Sequence, residues 1–380
     1  KNIGFSGAEE CQSRDYGNGG TVCVCNANHC DTISKPEKVE RPHYVVYTSN
    51  KAGLRFTKKE ETFLEKSKTY QKQIVINSTR TFQQIFGWGS TFTDATGINI
   101  NSLGTKQQEN LLKSYFSEDG LEYNLCRVPM GASDYSTHAY TYDDGEADEE
   151  LTNFRLAPED FQFKIPHIKS AQNFSNGNLQ LFASAWIAPI WMEVLKAGKR
   201  FKVLKTEMYQ PWANYFVKFL DNYRKEGIEF WGITTGNEPT ANAKVTSVKE
   251  VNSVAWNPFT MMPWILGSLG PTIRNSDYSN INIMVLEDQR YFSTGFIKLL
   301  LKNNSTRHYV DGIAMHWYYN KVLLFADLFA EIARKFPEKF VLATESSEAV
   351  DNEIKKRGSV DLGSWDNGEA YTNDLIKVLK

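Results

Sequence analysis

The rhythm of apolar and polar positions changes once along this chain. From about Tyr44 to Arg80 the stretches "YVVYTS" (44–49), "LRFTKK" (54–59) and "YQKQIVINST" (70–79) are separated by short polar segments. That pattern predicts a few antiparallel strands of a small β-domain. From Thr81 onward the order becomes strand, loop, helix, repeated. The strand candidates are "FQQIFGWGSTFT" (82–93), "YNLCRVPMG" (123–131), "LQLFASAWIAP" (179–189), "FWGITTGNEP" (230–239), "INIMVLEDQ" (281–289), "VDGIAMHWYY" (310–319) and "KFVLATESS" (339–347). These runs are nearly continuous rather than alternating, as expected for strands covered on both faces.

Between the runs lie helical stripes. Trp212, Tyr215, Phe216, Phe219, Leu220 and Tyr223 recur at spacings of three and four and stop before Gly227, one face of an amphipathic helix. Phe325, Leu328, Phe329, Ile332 and Phe336 repeat the device up to Pro337, and residues 371–380 form a last helical stretch. Seven strand–helix repeats predict an α/β protein, a (β/α)8 TIM barrel rather than an open doubly wound sheet. Neither G-x-G-x-x-G nor G-x-x-x-x-G-K-[ST] occurs, so the nucleotide-binding versions of such a sheet lack support. The eighth unit is missing, which would leave the first and last strands with unpaired edges. The expectation is therefore a chain truncated before its last strand, in three parts: an N-terminal segment (1–35), partial β-domain strands (36–80) and the barrel (81–380).

Composition changes this picture little. The 380 residues are 41% hydrophobic, enough for a large core, and the formal net charge is −2. That balance gives no clustered cation for nucleic acid. No apolar run approaches the ~20 residues of a membrane span. The chain opens on Lys1-Asn2-Ile3-Gly4, without an apolar signal segment, and reads as a mature form or as soluble from the start.

Cysteines add more. Cys11, Cys23, Cys25 and Cys30 crowd the N-terminus. Two small-loop disulfides would need an oxidising compartment; a zinc site with His29 is the alternative, though the spacing matches no common zinc pattern. Of the three pairings available to four cysteines, Cys11–Cys23 with Cys25–Cys30 keeps both loops short. Cys126 lies within an apolar run and reads as a buried core thiol. The triplets at Asn77, Asn173, Asn303 and Asn304 fit N-x-[ST] and agree with passage through the secretory pathway.

In barrels of this class the chemistry sits where strands end. The ends carry Asp94, Arg127 with Asp134, Trp186, Asn237-Glu238, the triplet Glu287-Asp288-Gln289, His316-Trp317-Tyr318, and Glu345. Two carboxylates facing each other across a barrel mouth suit glycoside hydrolysis, one as acid and one as nucleophile or base. Glu238 and Glu345, on the fourth and seventh runs with aromatics beside both, are the candidate pair. Each alone could equally be a helix cap or half of a structural ion pair. Asp94 reads as structural, bonding loop amides beneath the site. His316 reads as an orienter, Arg127 as the partner of a neighbouring carboxylate, and Glu348 as solvated.

At these residues the chain resembles the glucosylceramidases (acid β-glucosidases) of glycoside hydrolase family 30. The likeness runs through "CVCNANHCD", "LLKSYFSEDGLEYNLCRVPM", "WANYFVKFLDNYRKEGIEFW", "NEP", "LEDQR", "GIAMHWY" and "LGSWDNGEAY". The resemblance implies a retaining barrel enzyme without cofactor or metal, cleaving the glucosyl–ceramide bond. It implies Glu238 as acid/base, Glu345 as nucleophile, Asn237 on the sugar 2-hydroxyl, Asp134 on other hydroxyls, and Trp186, Trp317 and Tyr318 around the ring. It implies the same disulfide pairing, a saposin-type activator, contact with an anionic lipid membrane, and a lysosomal lumenal or secreted location. Departures stand beside the carboxylates. Gly236 replaces a Glu found in mammalian members, and Thr344-Glu-Ser-Ser347 replaces Ser-Glu-Ala-Cys. The loop after Thr240, "ANAKVTSVKEVNSVAW", shows little likeness. Two other functions fit the residues: an inactive glycolipid- or activator-binding paralogue, or a glycosidase acting on another β-glycoside.

Overall fold

The computed structural model describes residues 11–32, 35–64, 74–195, 202–240, 253–318, 327–347 and 360–379. Its centre is a six-stranded sheet of β1 (Leu125–Met130), β2 (Gln180–Ala185), β3 (Gly232–Thr234), β4 (Asn282–Gln289), β5 (Gly312–His316) and β6 (Phe340–Glu345). Every pairing is parallel and joins strands adjacent in sequence, the order of a TIM barrel curling round its axis. The runs are apolar because β1, β2, β3, β4 and β5 are buried almost throughout. Register slips twice, between Leu286 and Asp288 on β4 and between Met315 and His316 beside β6. Both slips fall at the C-terminal ends of strands, where the candidate residues stand.

The first predicted run is not a regular strand. Residues 82–90 have no strand geometry, and Thr91 forms a single parallel bridge to Arg127. Even so the segment lies along β1: Arg127 N donates to Ser90 O and Phe92 N to Arg127 O, both at 2.9 Å. Gly89 explains the irregularity. A Cβ built there would sit 1.7 Å from the Leu125 carbonyl oxygen, so the backbone is pressed against β1 closer than a side-chain-bearing strand can come.

The N-terminal strands also differ from the pattern. His43–Thr48 pairs antiparallel with Thr57–Thr62, starting three residues later than "LRFTKK" suggests. The intervening residues are spent on a turn closed by Asn50, whose N–H donates to Leu54 O and whose side chain accepts from Leu54 N. No strand forms over 74–79, where Ile74, Val75 and Ile76 are at least 80% exposed. Their β-propensity meets no partner strand among the described residues, and propensity alone does not make a strand. Residues 70–73 of that predicted strand, and Glu348, lie outside the described residues.

The predicted stripe on the helix Tyr209–Lys225 is buried at every position, and Gly227 (φ +78°) closes the helix. Phe329, Ile332 and Phe336 are buried in and just beyond the helix Asp327–Lys335. Cys11 bonds Cys23 and Cys25 bonds Cys30; with the sulfurs bonded to each other, the zinc alternative falls. Cys126 is free and buried, its thiol pushed up to about 12 by burial. Asn77, Asn173 and Asn304 are exposed, whereas Asn303 caps the helix Asn304–Tyr309 by accepting from Thr306 N. Among the described residues no helix is long and apolar enough to cross a membrane.

Replacing Gly89 by Ala should force the segment off β1 and destabilise the protein by about 2 kcal/mol or more. A urea-unfolding midpoint unchanged from wild type would contradict this account of the close approach.

Candidate active site

Arg127, at the middle of β1 rather than at its end, is buried with four polar contacts and one aromatic ring. Nε donates to Ser184 Oγ at 3.1 Å, Nη1 to Glu345 Oε2 at 2.5 Å, and Nη2 to Asn237 Oδ1 at 2.8 Å. Nη2 also lies 2.7 Å from Glu287 Oε1, in an ion pair with side chains 2% and 0% exposed. The Trp186 ring covers the guanidinium with its centroid 4.2 Å from Cζ, a cation–π contact in a desolvated setting. Burial works against this charge, but Glu287 and Glu345 hold the guanidinium above its usual value.

Glu238 is held from the other side. Gln289 Nε2 donates to its Oε1 at 2.8 Å, and His316 Nδ1 lies 3.1 Å from the same oxygen. Its N–H donates to Glu287 O at 2.9 Å, and Asn237 N to Ala185 O at 2.8 Å. The chain turns sharply to reach these contacts. Gly236 has φ +123° and Glu238 φ +39°. A φ like that of Gly236 is rarely adopted by L side chains, and glycine meets it without a Cβ penalty.

Glu345 receives a second donor in Tyr318, whose hydroxyl lies 2.7 Å from Oε1 and 3.0 Å from Ser347 Oγ. Burial alone would raise the Glu345 carboxyl. The neighbouring His316 and Arg127, with the Tyr318 hydrogen bond, reverse this and hold it near about 2. For His316 burial opposes protonation, and the two carboxylates overcome it, raising its value. One carboxylate oxygen from Glu238, one from Glu345 and a His316 ring nitrogen all lie within 4.8 Å of one another. Such a set has the spacing of a cation site. Here, however, Arg127 and Tyr318 donate to Glu345 and Gln289 donates to Glu238, so the cluster is built around hydrogen bonds and a fixed guanidinium.

The remaining candidates surround this centre. Asp134 lies at the open rim, where lost hydration and the charge of Glu345 push it up to about 6 although its side chain stays exposed. A cavity of about 1140 Å³ is lined by Arg127, Asp134, Tyr135, Trp186 and Glu345, and also by Phe82, Phe86 and Phe340. Trp317 is nearly buried and stacks on Tyr371 at 4.8 Å. Asp94 is structural, but its partners are hydroxyls rather than loop amides: Ser136 Oγ and Tyr140 OH donate to it, with Lys164 3.6 Å away.

Sequence reasoning marked the triplet Glu287-Asp288-Gln289 without separating its members. The structure sends them three ways: Glu287 to Arg127, Asp288 to the hydroxyl and amide of Thr240, and Gln289 to Glu238. Ser184 and Thr234, which both donate to Glu287, were not singled out. Their signal was present, since each is a hydroxyl inside an otherwise apolar run.

A parallel barrel sheet with two glutamates meeting at its C-terminal ends, each with hydrogen-bond donors on its oxygens, is the arrangement expected of a glycoside hydrolase. The chain belongs to glycosyl hydrolase family 30, whose TIM-barrel domain matches residues 85–380. It is 39% identical over 363 residues to putative glucosylceramidase 4 of Caenorhabditis elegans, spanning 94% of this chain and 68% of that protein. It is 34% identical over 377 residues to lysosomal acid glucosylceramidase of Mus musculus, spanning 98% and 72%. Among solved structures, SrfJ from Salmonella typhimurium shares the fold with a TM-score of 0.74 at 23% identity, over 85% of this chain and 68% of that one.

Removing the Tyr318 hydroxyl takes away one of the groups that keep Glu345 ionised, so its carboxyl should rise from about 2 toward the usual carboxylate range. The sign follows: the ionised form is lost at a higher pH in Tyr318→Phe than in wild type. The acidic limb of kcat/KM is expected to move to higher pH in the variant, and an unmoved or lowered limb would contradict the assignment.

Proposed function

We propose that this glycoside hydrolase is a retaining β-glucosidase that releases glucose from glucosylceramide by double displacement. The observation that carries the reading is the closeness of Glu238 and Glu345, whose nearest oxygens lie within 4.8 Å. A retaining pair stands about 5–5.5 Å apart, while an inverting pair needs about 6.5–9.5 Å to admit a water. The environments of the two glutamates divide the roles. Glu345, bound by Arg127 and Tyr318 and held ionised, attacks the anomeric carbon. Glu238 donates its proton to the leaving oxygen, and the C–O bond breaks as the glycosyl–Glu345 ester forms. Glu238 then takes a proton from water, which attacks the ester, freeing glucose and Glu345.

Asn237, oriented by Arg127, binds the sugar 2-hydroxyl, where contacts strengthen in the transition state. Asp134 at the rim holds other hydroxyls, while Trp186, Tyr318 and Trp317 border the sugar. The glucosylceramide substrate is supported by the names of the relatives above. A lysosomal lumenal or secreted setting is supported by the murine relative's name and by the two disulfides, which need an oxidising compartment. An activator protein and an anionic membrane belong to the same reading. A second reading keeps the chemistry and changes the substrate. The chain is also 33% identical over 171 residues to endo-1,6-beta-D-glucanase BGN16.3 of Trichoderma harzianum, which spans 41% of this chain and 34% of that enzyme. Assaying glucosylceramide against β-1,6-glucan separates the two.

Glu345→Gln is expected to lower kcat by about 10⁴-fold or more; near-normal turnover would sink the nucleophile assignment. Glu238→Gln should spare aryl glucosides with good leaving groups far more than glucosylceramide. Equal losses on both substrates would remove Glu238 from the acid role.

A further inference from the structure

Glu287 carries no part of the mechanism above, yet it is the most completely enclosed carboxylate around the site. It is 0% exposed. Its Oε1 accepts from Ser184 Oγ at 2.9 Å and pairs with Arg127 Nη2 at 2.7 Å, and its Oε2 accepts from Thr234 Oγ1. The backbone is bent to place it there. Leu286 has φ +79° and Glu287 φ +48°, two successive side-chain-bearing residues in the left-handed region, at the register slip of β4. Such residues persist only where the surroundings over-determine them. The same bend points the Glu287 carbonyl at the amide of Glu238.

These contacts converge on one function. Arg127 is shared between two carboxylates, Glu287 and Glu345. Were Glu345 its sole anionic partner, the whole guanidinium charge would stabilise the ionised Glu345 and blunt its attack on carbon. We propose that Glu287 is a positioning residue that divides the charge of Arg127, keeping Glu345 nucleophilic while fixing the guanidinium that orients Asn237. The effect on the two chemical steps is unequal. Formation of the glycosyl–Glu345 ester uses Glu345 as nucleophile and is slowed when Glu287 is neutral. Breakdown of the ester uses Glu345 as leaving group and is not slowed, because a better-stabilised carboxylate leaves more readily.

This inference rests on the retaining reading above, and the experiment separates the two. The probe is 2-deoxy-2-fluoro-β-glucosyl fluoride, with labelling of Glu345 followed by mass spectrometry on the folded protein. Wild type should be labelled at Glu345. Glu287→Gln, nearly isosteric but neutral, should be labelled about tenfold or more slowly, a difference readable as transition-state stabilisation. Reactivation of the labelled variant should be as fast as wild type or faster. Glu287→Asp, which restores the charge, should recover most of the labelling rate. Loss of packing alone would reduce the labelled fraction or slow both steps, and that result overturns the proposal, as does labelling of Glu287→Gln at the wild-type rate. Thr234→Val removes one donor to Glu287 and loosens its hold on Arg127; it serves as the test if Glu287→Gln does not fold, with labelling slowed by a smaller factor and reactivation unslowed, whereas unchanged labelling or slowing of both steps overturns the proposal. Wild type that resists labelling overturns the retaining reading and this inference with it.

Discussion

A single buried guanidinium holds the site together. Arg127 sits on β1, while its partners come from elsewhere in the sheet: Ser184 on β2, Asn237 just past β3, Glu287 on β4 and Glu345 at the end of β6. Leaving such a charge unpaired inside a protein costs several kcal/mol, so the curl of the sheet and the pairing of the guanidinium enforce each other. Breaking the curl separates the partners, and removing a partner strands the charge. Trp186 closes the remaining open face of the guanidinium, which keeps water from weakening these contacts.

The strand ends supply the second constraint. A regular parallel strand sends successive side chains to opposite faces, so Glu287 and Gln289 would share one face and Asp288 the other. The slip at Leu286 and Asp288, with positive φ at Leu286 and Glu287, breaks that alternation. Glu287 turns to the guanidinium, and Gln289 reaches Glu238. The turn through Gly236 and Glu238 makes the matching adjustment on the neighbouring strand. Three side-chain-bearing residues at positive φ thus stand at the site, while the apolar middles of the strands and the aromatic face of the helix Tyr209–Lys225 carry the packing.

Much of the fold was legible because its signals are periodic. The stripe from Trp212 to Tyr223 is buried at every predicted position, and six of the apolar runs contain the six strands of the sheet. The run 82–93 misled because an apolar sequence does not show how closely two backbones approach, and Gly89 was the residue that decided it. The strand over 70–79 failed in its described part because β-propensity without a partner strand makes none. In the site, Glu238, Asn237, Arg127, His316, Tyr318 and Glu345 were all singled out, and the structure joins Arg127 to Asn237 and Glu345, Tyr318 to Glu345, and His316 to Glu238. Glu287 and Gln289 stayed undivided because a local slip in register is not written in hydrophobicity. Gly236, a departure from relatives in the sequence, becomes intelligible only with its φ of +123°.

If Glu238 and Glu345 act as the proposed retaining pair, their closeness enforces two displacements at the anomeric carbon. The most direct measurement is the configuration of the sugar at the moment of release, followed by proton NMR during hydrolysis of a β-glucoside before mutarotation. With a retaining pair, β-glucose appears first and the α-anomer grows in only afterwards. Initial release of α-glucose would mean a single displacement by water, and would contradict the retaining reading.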